Sequence, residues 1–229
     1  MVVVPELVWY AIPWFLVYIS MESRSLTFWG AVTALLMSYV ILLTEGINWY
    51  IVFLTLPILG TLATRFKEDK KEKLKVLQKV RGPYNAMANG GIALIMAVLG
   101  TNIGLFGFVG SIAAATADTM SSEIGVLSKG NPIMITTLRR VKKGQNGAVS
   151  AWGTFAAVIV SLVVGVIGIL IWPNIKIVWV ALIAGVSGML IDSLIGALFE
   201  NRGWTGNNTT NMFCAASGAI IGMLVGVFL

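Results

Sequence analysis

Two acidic side chains lie inside segments whose hydropathy is typical of membrane spans. Asp118 occurs in the apolar run GFVGSIAAATADTMSSEIG, and Asp192 occurs in the run GVSGMLIDSLIGAL. An ionisable group inside a membrane is costly unless it is paired or bound to a metal, so such residues indicate a functional site. Glu123 follows Asp118 closely on the same run. We therefore predict that Asp118, Glu123 and Asp192 are catalytic residues that bind a divalent metal ion.

A basic loop, KGNPIMITTLRRVKKGQNGAVS, follows the first acidic run. It offers threonine hydroxyls, several cations and a GQNG turn whose backbone amides precede the next helix. A helix N-terminus with adjacent cations is an anion site, although membrane topology alone could explain the charge. The predicted phosphate-binding residues are Thr136, Thr137, Arg140, Lys142, Lys143, Gly144, Asn146 and Gly147.

Asparagines open two of the predicted spans. Asn85 and Asn89 lie at the start of the fourth span, and Asn207, Asn208 and Asn211 lie at the start of the last one. Any one of them could be an ordinary helix cap. Together they predict further ligands: Asn208 and Asn211 join the metal-binding set, and Asn85 and Asn89 bind the acceptor phosphate or the nucleotide.

The composition defines the elements that must position these residues. The chain is 57% hydrophobic and only 11% charged, which excludes a soluble globular protein. It contains no histidine, so the commonest general base and transition-metal ligand are absent, and its single cysteine, Cys214, excludes an intramolecular disulfide. We predict an all-α fold: a polytopic transmembrane helix bundle of seven to eight spans with a charged cytoplasmic helix.

Apolar runs long enough to cross a bilayer number eight. The fourth is short and interrupted by Gly100 and Gly104, so a half-helix inside the protein is the alternative to a full span. We expect one membrane domain over residues 1–229, in which 1–64 hold three N-terminal spans, 65–85 form a basic cytoplasmic segment, and 86–229 form the catalytic bundle with the basic loop 128–147. The predicted spans cover about residues 2–20, 26–43, 47–64, 86–101, 104–127, 148–172, 176–199 and 210–229.

The cations predict the orientation. Of the sixteen lysines and arginines, eight lie in residues 65–81 and five in residues 129–143. Cytoplasmic loops carry such an excess, so both segments are predicted to be cytoplasmic and both termini outside. Helical rise then brings Asp118, Asp192 and the asparagines to the cytoplasmic leaflet. In the segment 64–82, Leu74, Leu77 and Val80 occur at helical spacing. The segment is therefore either a helix that lies on the membrane surface or packs over the site, or a solvated helix that only sets topology.

Small residues accompany each aspartate at helical spacing. Ala114 precedes Asp118 by one turn, and Gly188 precedes Asp192 in the same way. Small residues let membrane helices approach closely, so we predict that the two stripes face each other and that the aspartates share a cation. Glu123 lies roughly 140° around the helix from Asp118. It therefore makes a different contact, or the helix breaks near Met120.

Four ordered segments carry a resemblance to a known family: ADTMSSEIGVLSK, NPIMITTLRRVKKGQNGAVSAWGT, GVSGMLIDSLIGAL and NNTTN. They resemble the integral-membrane family that contains the plant phytyl-phosphate kinases of the tocopherol pathway and an animal transmembrane protein. The resemblance runs from about Arg81 to the C-terminus. It implies phosphoryl transfer from a nucleoside triphosphate, with CTP the expected donor and Mg²⁺ the expected cofactor, to a prenyl monophosphate. The product would be a prenyl diphosphate.

The family motifs include most of the residues singled out above and add their neighbours. Two departures stand out: some relatives carry an acid where Asn208 stands, and Met120 replaces the usual aromatic residue. The matching positions are Asp118, Thr119, Ser122, Glu123 and Gly125; Pro132, Ile135, Thr136, Thr137, Arg140, Val141, Gly144, Asn146 and Gly147; Asp192, Ser193 and Gly196; and Asn207, Asn208 and Asn211.

Other functions use similar parts. A CTP-dependent lipid cytidylyltransferase and a prenyl-alcohol kinase keep the same ligands, and a cation-coupled transporter would use the two aspartates as an ion site. The expected partners are a prenyl-phosphate lipid and membrane lipids, with no nucleic acid. A homodimer is one option for the oligomeric state. The chain length and saturation of the prenyl group stay open.

Overall fold

The computed structural model describes residues 6–77 and 80–229. The described chain is mostly helical, as expected for backbone that must satisfy its own hydrogen bonds in lipid. A 3-10 helix, Glu6–Ala11, precedes the first α-helix, and another, Glu200–Arg202, follows the eighth. The α-helices are α1 (Ile12–Glu22), α2 (Phe28–Thr44), α3 (Ile47–Arg65), α4 (Glu68–Lys73), α5 (Pro83–Leu99), α6 (Asn102–Gly125), α7 (Ala151–Ile171), α8 (Lys176–Leu198) and α9 (Asn207–Phe228).

Five helices in the described part of the chain are long and apolar enough to cross a membrane: α3, α6, α7, α8 with the turn after it, and α9. Helices α2 and α5 are apolar but shorter, with 17 residues each, and α1 has 11. The predicted helical fold is therefore confirmed, with five candidate membrane spans among the described residues, and the count of seven to eight stays a prediction. Helix α5 is continuous from Pro83 to Leu99 and ends at Gly100. The fourth run is therefore not broken within those residues.

Local sequence explains where several helices begin. The hydroxyl of Thr101 accepts a hydrogen bond of 2.9 Å from the amide of Gly104 at the start of α6. The hydroxyl of Ser150 accepts one of 3.1 Å from Gly153 at the start of α7. Such caps satisfy amides that have no partner in the first turn of a helix. Helix α5 ends at Gly100, which adopts the left-handed conformation common after helices.

Helix α6 is the centre of the bundle, and α3, α5, α7, α8 and α9 pack around it. Glycine and alanine bring the axes close. A Cβ atom on Gly188 of α8 would lie 2.5 Å from the Cβ of Ala114 on α6, and one on Gly110 of α6 would lie 2.3 Å from the carbonyl oxygen of Gly218 on α9. The predicted contact between the small-residue stripes of α6 and α8 is confirmed, and α9 closes on α6 in the same way.

The helix ends that carry the polar residues meet at one end of the bundle. The chain between α6 and α7 lies there and is not entirely irregular: Ile133–Met134 (β1) pairs antiparallel with Ala148–Val149 (β2). This short ladder is an exception to the all-α prediction. It turns the chain back on itself, so that residues 144–147 reach the start of α7.

The basic segment after α3 forms only a short helix, α4. Leu74 and Val80 are exposed, so the helical apolar spacing noted in residues 74–80 does not form one buried face. Lys71, in contrast, is completely buried. The segment therefore packs over the bundle end instead of only extending into solvent, which decides between the two interpretations of residues 64–82.

Candidate functional site

The two aspartates meet at the crossing of α6 and α8. The side chains of Asp118 and Asp192 lie beside each other in the lining of one cavity, because Ala114 and Gly188 one turn earlier let the helices touch. Among the described residues, Oδ1 of Asp192 is buried and has no hydrogen-bond partner. Two neighbouring carboxylates repel each other strongly unless they share a proton or a cation lies between them. The pair therefore has the geometry and the open ligand atom of a cation site.

A polar cavity of about 150 Å³, which we call the loop cavity, opens beside this pair. The end of α6, the GQNG turn, the start of α7 and the end of α8 enclose it. Lys143 contributes a cation, and Ser150 and Ser193 contribute hydroxyls. The lining residues are Asp118, Ser121, Ser122, Gly125, Val126, Pro132, Lys143, Gly144, Gln145, Asn146, Gly147, Ala148, Ser150, Asp192, Ser193, Gly196, Glu200 and Asn207.

Gly147 explains why the turn reaches the aspartates. Its φ of +79° is in the left-handed region, and a Cβ atom there would lie 2.7 Å from the backbone nitrogen of Ala197 on α8. The amide of Asn201 also donates a 2.9 Å hydrogen bond to the carbonyl oxygen of Asn146. Lys143 donates to the carbonyl oxygen of Ser128, which fixes it on the other side of the cavity. The turn is thus held between α6 and α8.

Half of the predicted phosphate-binding loop lies elsewhere. The side chains of four predicted residues are exposed and do not line the loop cavity or the smaller polar cavity near Arg81: Thr136, Thr137, Arg140 and Lys142. The reason is the ladder between β1 and β2, which holds residues 133–134 and 148–149 together and directs the chain between 135 and 140 away from the helices. The structure brings Lys143, Gly144, Asn146 and Gly147 to the aspartates but not the other four.

A second, smaller polar cavity of about 60 Å³ lies on the other side of Asp118. We call it the arginine cavity because Arg81 lines it. Asp118, Ser122 and Asn207 line both cavities, so the two cavities meet at these three side chains. Its lining residues are Arg81, Asn85, Asn89, Asp118, Thr119, Ser122, Glu123, Asn207 and Asn211.

Arg81 is a functional candidate that the sequence did not single out. Its backbone is fixed by hydrogen bonds to the turn between α1 and α2, at 2.9 Å to Ser25 and 3.0 Å from Thr27. Its guanidinium lies against Gly60 of α3 and donates a 3.4 Å hydrogen bond to the hydroxyl of Thr64. Burial lowers the pKa of Arg81, and the negative charges of Glu123 and Asp118 oppose that shift. In the sequence it is one cation among eight, so no pattern marked it.

Glu123 forms the different contact that its helical position required, and α6 continues unbroken past Met120. One carboxylate oxygen lies 2.6 Å from Nζ of Lys71, and the other accepts a 2.8 Å hydrogen bond from the hydroxyl of Thr64. Lys71 also donates to the carbonyl oxygens of Ala63 and Thr64. Glu123 lines the arginine cavity with Asp118, but its charge is paired with Lys71, and its assignment as a metal ligand stays a prediction. In the described ranges, no group of three acidic, cysteine or histidine residues could hold a metal.

The asparagines divide between two surfaces. Asn85, Asn89 and Asn211 are buried and line the arginine cavity. Asn208 is exposed and lines an apolar groove between α5 and α9, so the structure does not support it as a metal ligand. Helical geometry explains the change: Asn207 and Asn211 are four residues apart and share a face, whereas Asn208 points roughly 100° away.

The apolar groove has a volume of about 400 Å³ and is open to the side of the bundle. Tyr84 and Asn208 lie near the starts of α5 and α9, at the same end as the polar cavities. The rest of the groove is almost entirely apolar. It is lined by Tyr84, Met87, Ala88, Gly91, Ile92, Leu94, Ile95, Asn208, Thr209 and Met212.

Comparisons with known proteins agree with a membrane bundle. The chain is 39% identical over 207 residues to an uncharacterised membrane protein of Methanocaldococcus jannaschii, covering 89% of this chain and 87% of that one. It is 27% identical over 236 residues to protein PGR of Arabidopsis thaliana, covering 89% of this chain and 78% of the relative.

A further relative from Arabidopsis thaliana is the chloroplastic protein VTE6. It is 27% identical over 191 residues, which cover 75% of this chain and 56% of the relative's length. No solved structure matches the chain significantly. The family model of integral membrane protein DUF92 matches residues 11–227, nearly the whole sequence. The chain therefore belongs to the DUF92 family of integral membrane proteins.

Proposed function

We propose that this protein is a membrane prenyl-phosphate kinase, which transfers a phosphoryl group from a nucleoside triphosphate, with CTP the expected donor, to a prenyl or phytyl monophosphate. One observation carries the proposal: Asp118 lies beside Asp192 and lines two polar cavities, each of which contains a cation, Lys143 in one and Arg81 in the other. The resemblance of the four sequence segments to phytyl-phosphate kinases supports the substrate class.

The aspartate pair fits a magnesium ion. Oδ1 of Asp192 is a buried oxygen without a partner, and a carboxylate of Asp118 lies beside it. Magnesium usually takes one or two protein carboxylates and completes its shell with water and phosphate oxygens. In phosphoryl transfer such an ion neutralises charge on the donor phosphates. Asp118 and Asp192 are the proposed ligands, and Asn211 lies in the adjoining cavity.

The loop cavity suits the donor triphosphate. Lys143, the backbone of residues 144–147 and the first turn of α7 supply a cation and amides at one site. Ser150 and Ser193 add hydroxyls. Lys143 and the turn therefore replace Arg140 and the two threonines as the proposed triphosphate ligands.

The chemistry requires little from the protein besides position and charge. An oxygen of the acceptor phosphate forms a bond to the terminal phosphorus of the donor. The bond from that phosphorus to the bridging oxygen breaks, and the nucleoside diphosphate leaves with the electron pair. A dianionic acceptor has no proton to lose, so the absence of histidine is no obstacle. This protein's residues hold two anions on either side of the acid pair and align them.

The orientation remains part of the proposal. The cation excess in residues 65–81 and 129–143 favours a site that faces the cytoplasm, with both termini outside. A soluble nucleotide would then reach the loop cavity from the cytoplasm, while the lipid substrate stays in the membrane.

Product analysis tests the proposal. Purified protein in detergent micelles is incubated with phytyl monophosphate, Mg²⁺ and each nucleoside triphosphate in turn, and the products are identified by mass spectrometry. We expect phytyl diphosphate and a nucleoside diphosphate. Inorganic diphosphate with a nucleotidyl lipid would instead establish a cytidylyltransferase, and phosphorylation of phytol a prenyl-alcohol kinase.

The aspartates give the matched variants. Asp118→Asn and Asp192→Asn keep the side-chain shape but remove the charge that holds the cation, so we expect turnover to fall about a hundred- to a thousandfold, the range that electrostatic groups contribute. Thermal unfolding should show that both variants stay folded. Wild-type turnover in either variant would remove the aspartate pair from the mechanism.

A further inference from the structure

Arg81 has donors that the protein does not use. Within the described part of the chain, its side chain makes one long hydrogen bond, 3.4 Å to Thr64, and forms no ion pair within 4.0 Å. A guanidinium carries five N–H donors in a planar fork that matches a phosphate. Its nearest acid, Glu123, is paired with Lys71. A half-buried guanidinium with open donors beside a cavity is a binding group for an anion that enters that cavity.

The position of the cavity indicates which anion it receives. With a volume of about 60 Å³ it can hold a phosphate group, whereas a nucleotide is far larger. It meets the loop cavity at Asp118, Ser122 and Asn207, so an anion at Arg81 faces a triphosphate in the loop cavity across the acidic centre. Asn85 and Asn89, both buried, supply amide groups beside it.

We propose, as an extension of the kinase function, that Arg81 binds the phosphate of the lipid acceptor in the arginine cavity and that the hydrocarbon chain lies in the groove between α5 and α9. The groove lies beside the cavity on the same two helices, although no residue lines both. On α5, Asn85 and Asn89 line the cavity while Ala88 and Gly91 line the groove. The polar residues of the groove, Tyr84, Asn208 and Thr209, sit at the end where the phosphate enters.

The occupant of the groove follows from this arrangement. The side chains that line the groove are almost all apolar. The groove opens to the outside of the bundle and not into the polar cavities. A hydrocarbon chain attached to a phosphate at Arg81 has to leave the cavity in a direction that needs no water. The groove is that direction, because it begins at the first turn of both helices that wall the cavity.

The first test measures binding of phytyl monophosphate and of phytol to the purified protein in detergent micelles. Arg81→Lys keeps the charge but loses the planar fork, and Arg81→Met loses both. We expect phytyl monophosphate to bind about ten- to a hundredfold more weakly in either variant, as for a lost charged hydrogen-bond pair. Phytol and nucleotide binding should change less than about twofold.

Arg65→Lys is the matched control. Arg65 lies at the same end and donates to Ser23 and Ser25, but it is exposed and lines neither polar cavity. We expect its phytyl monophosphate affinity to equal that of the wild type. Unchanged phytyl monophosphate affinity in a folded Arg81→Lys protein would overturn the assignment of Arg81. If Arg81→Met fails to fold, Arg81→Lys alone decides the test.

The second test concerns the tail. A Cβ atom on Gly91 would meet only the flexible end of Met87 at 3.3 Å, so Gly91→Leu extends into the groove without striking backbone. We expect the KM for phytyl monophosphate to rise about tenfold, roughly the effect of excluding two methylenes, while the KM for a short-chain prenyl monophosphate stays unchanged. Equal changes in KM for the two substrates would show that the hydrocarbon chain does not lie in this groove.

The results separate this inference from the kinase proposal. Arg81-dependent binding of phytyl monophosphate without any phosphoryl transfer would retain the subsite and reject the kinase. Kinase activity with acceptor binding that does not depend on Arg81 would retain the kinase and reject the subsite. Neither binding nor transfer by the wild-type protein would reject both.

Discussion

The buried ion pair between Lys71 and Glu123 makes the sharpest stability prediction. Nζ of Lys71 is completely buried and lies 2.6 Å from the Glu123 carboxylate, which is only 13% exposed. Removing one member of such a pair leaves an uncompensated charge, which typically costs roughly 3–5 kcal/mol. For Lys71→Met we take the lower end, about 3 kcal/mol, because Thr64 still donates to Glu123. In a chain of this length that corresponds to a fall in Tm of about 6–12 °C.

A double-mutant cycle isolates the pair. Lys71→Met, Glu123→Gln and the double variant are unfolded thermally in the same detergent, with Lys70→Met, at the exposed neighbouring position, as the control. We expect the double variant to be more stable than the sum of the single effects by about 1–3 kcal/mol, since the second substitution removes the orphaned charge. Lys70→Met should leave Tm within about 1 °C. Additive effects, or an equal loss in the control, would show that Lys71 is not held as the structure describes.

The remaining predictions concern the loop cavity. Gly147→Ala should lower nucleotide affinity at least about tenfold, because its Cβ would strike the backbone of Ala197. The control is Gly203→Ala, at a φ of +73° with open space around it, which should only lose about 1 kcal/mol of stability. Equal nucleotide affinity in the two variants would contradict the packing argument. Lys143→Ala should raise the nucleotide KM about tenfold and leave the lipid KM unchanged, with exposed Lys70→Ala as its control. A rise in the lipid KM alone would show that the donor nucleotide does not bind in the loop cavity.

The sequence predicted the acidic centre because helical periodicity is a local property. Ala114 and Asp118 share a face of one helix, and Gly188 and Asp192 share a face of another, whatever surrounds them. Small residues on both faces then favour close approach, and the structure confirms that the two aspartates meet. The same geometry predicted that Glu123 has a different contact, although not which residue it contacts.

The loop was predicted only in part. Residue types mark cations and hydroxyls but not the direction of a chain that lacks regular periodicity, so Thr136 and Arg140 were expected beside the phosphate and lie exposed instead. Their placement depends on the short ladder between β1 and β2, in which Ile133 pairs with Val149. That pairing joins residues far apart in sequence, and no local signal specified it.

The basic segment shows the same division between local and distant information. Lys71 and Arg81 are indistinguishable from their six neighbouring cations in composition and charge. One became a buried ion-pair partner and the other a cavity cation because α3, α6 and the turn after α1 surround them. Burial of a charge is decided by what packs against it.

The sequence by itself determined that the chain is an integral membrane helix protein with two acids on small-residue faces, because hydropathy and helical period are set by neighbours within a few turns. Only the tertiary structure decided that Arg81 and Lys143 line two different cavities that meet at Asp118, that Glu123 is paired with Lys71, and that Asn207 replaces Asn208 in the polar cavities. These arrangements depend on contacts between segments tens of residues apart, whose relative positions are fixed only when the helices pack.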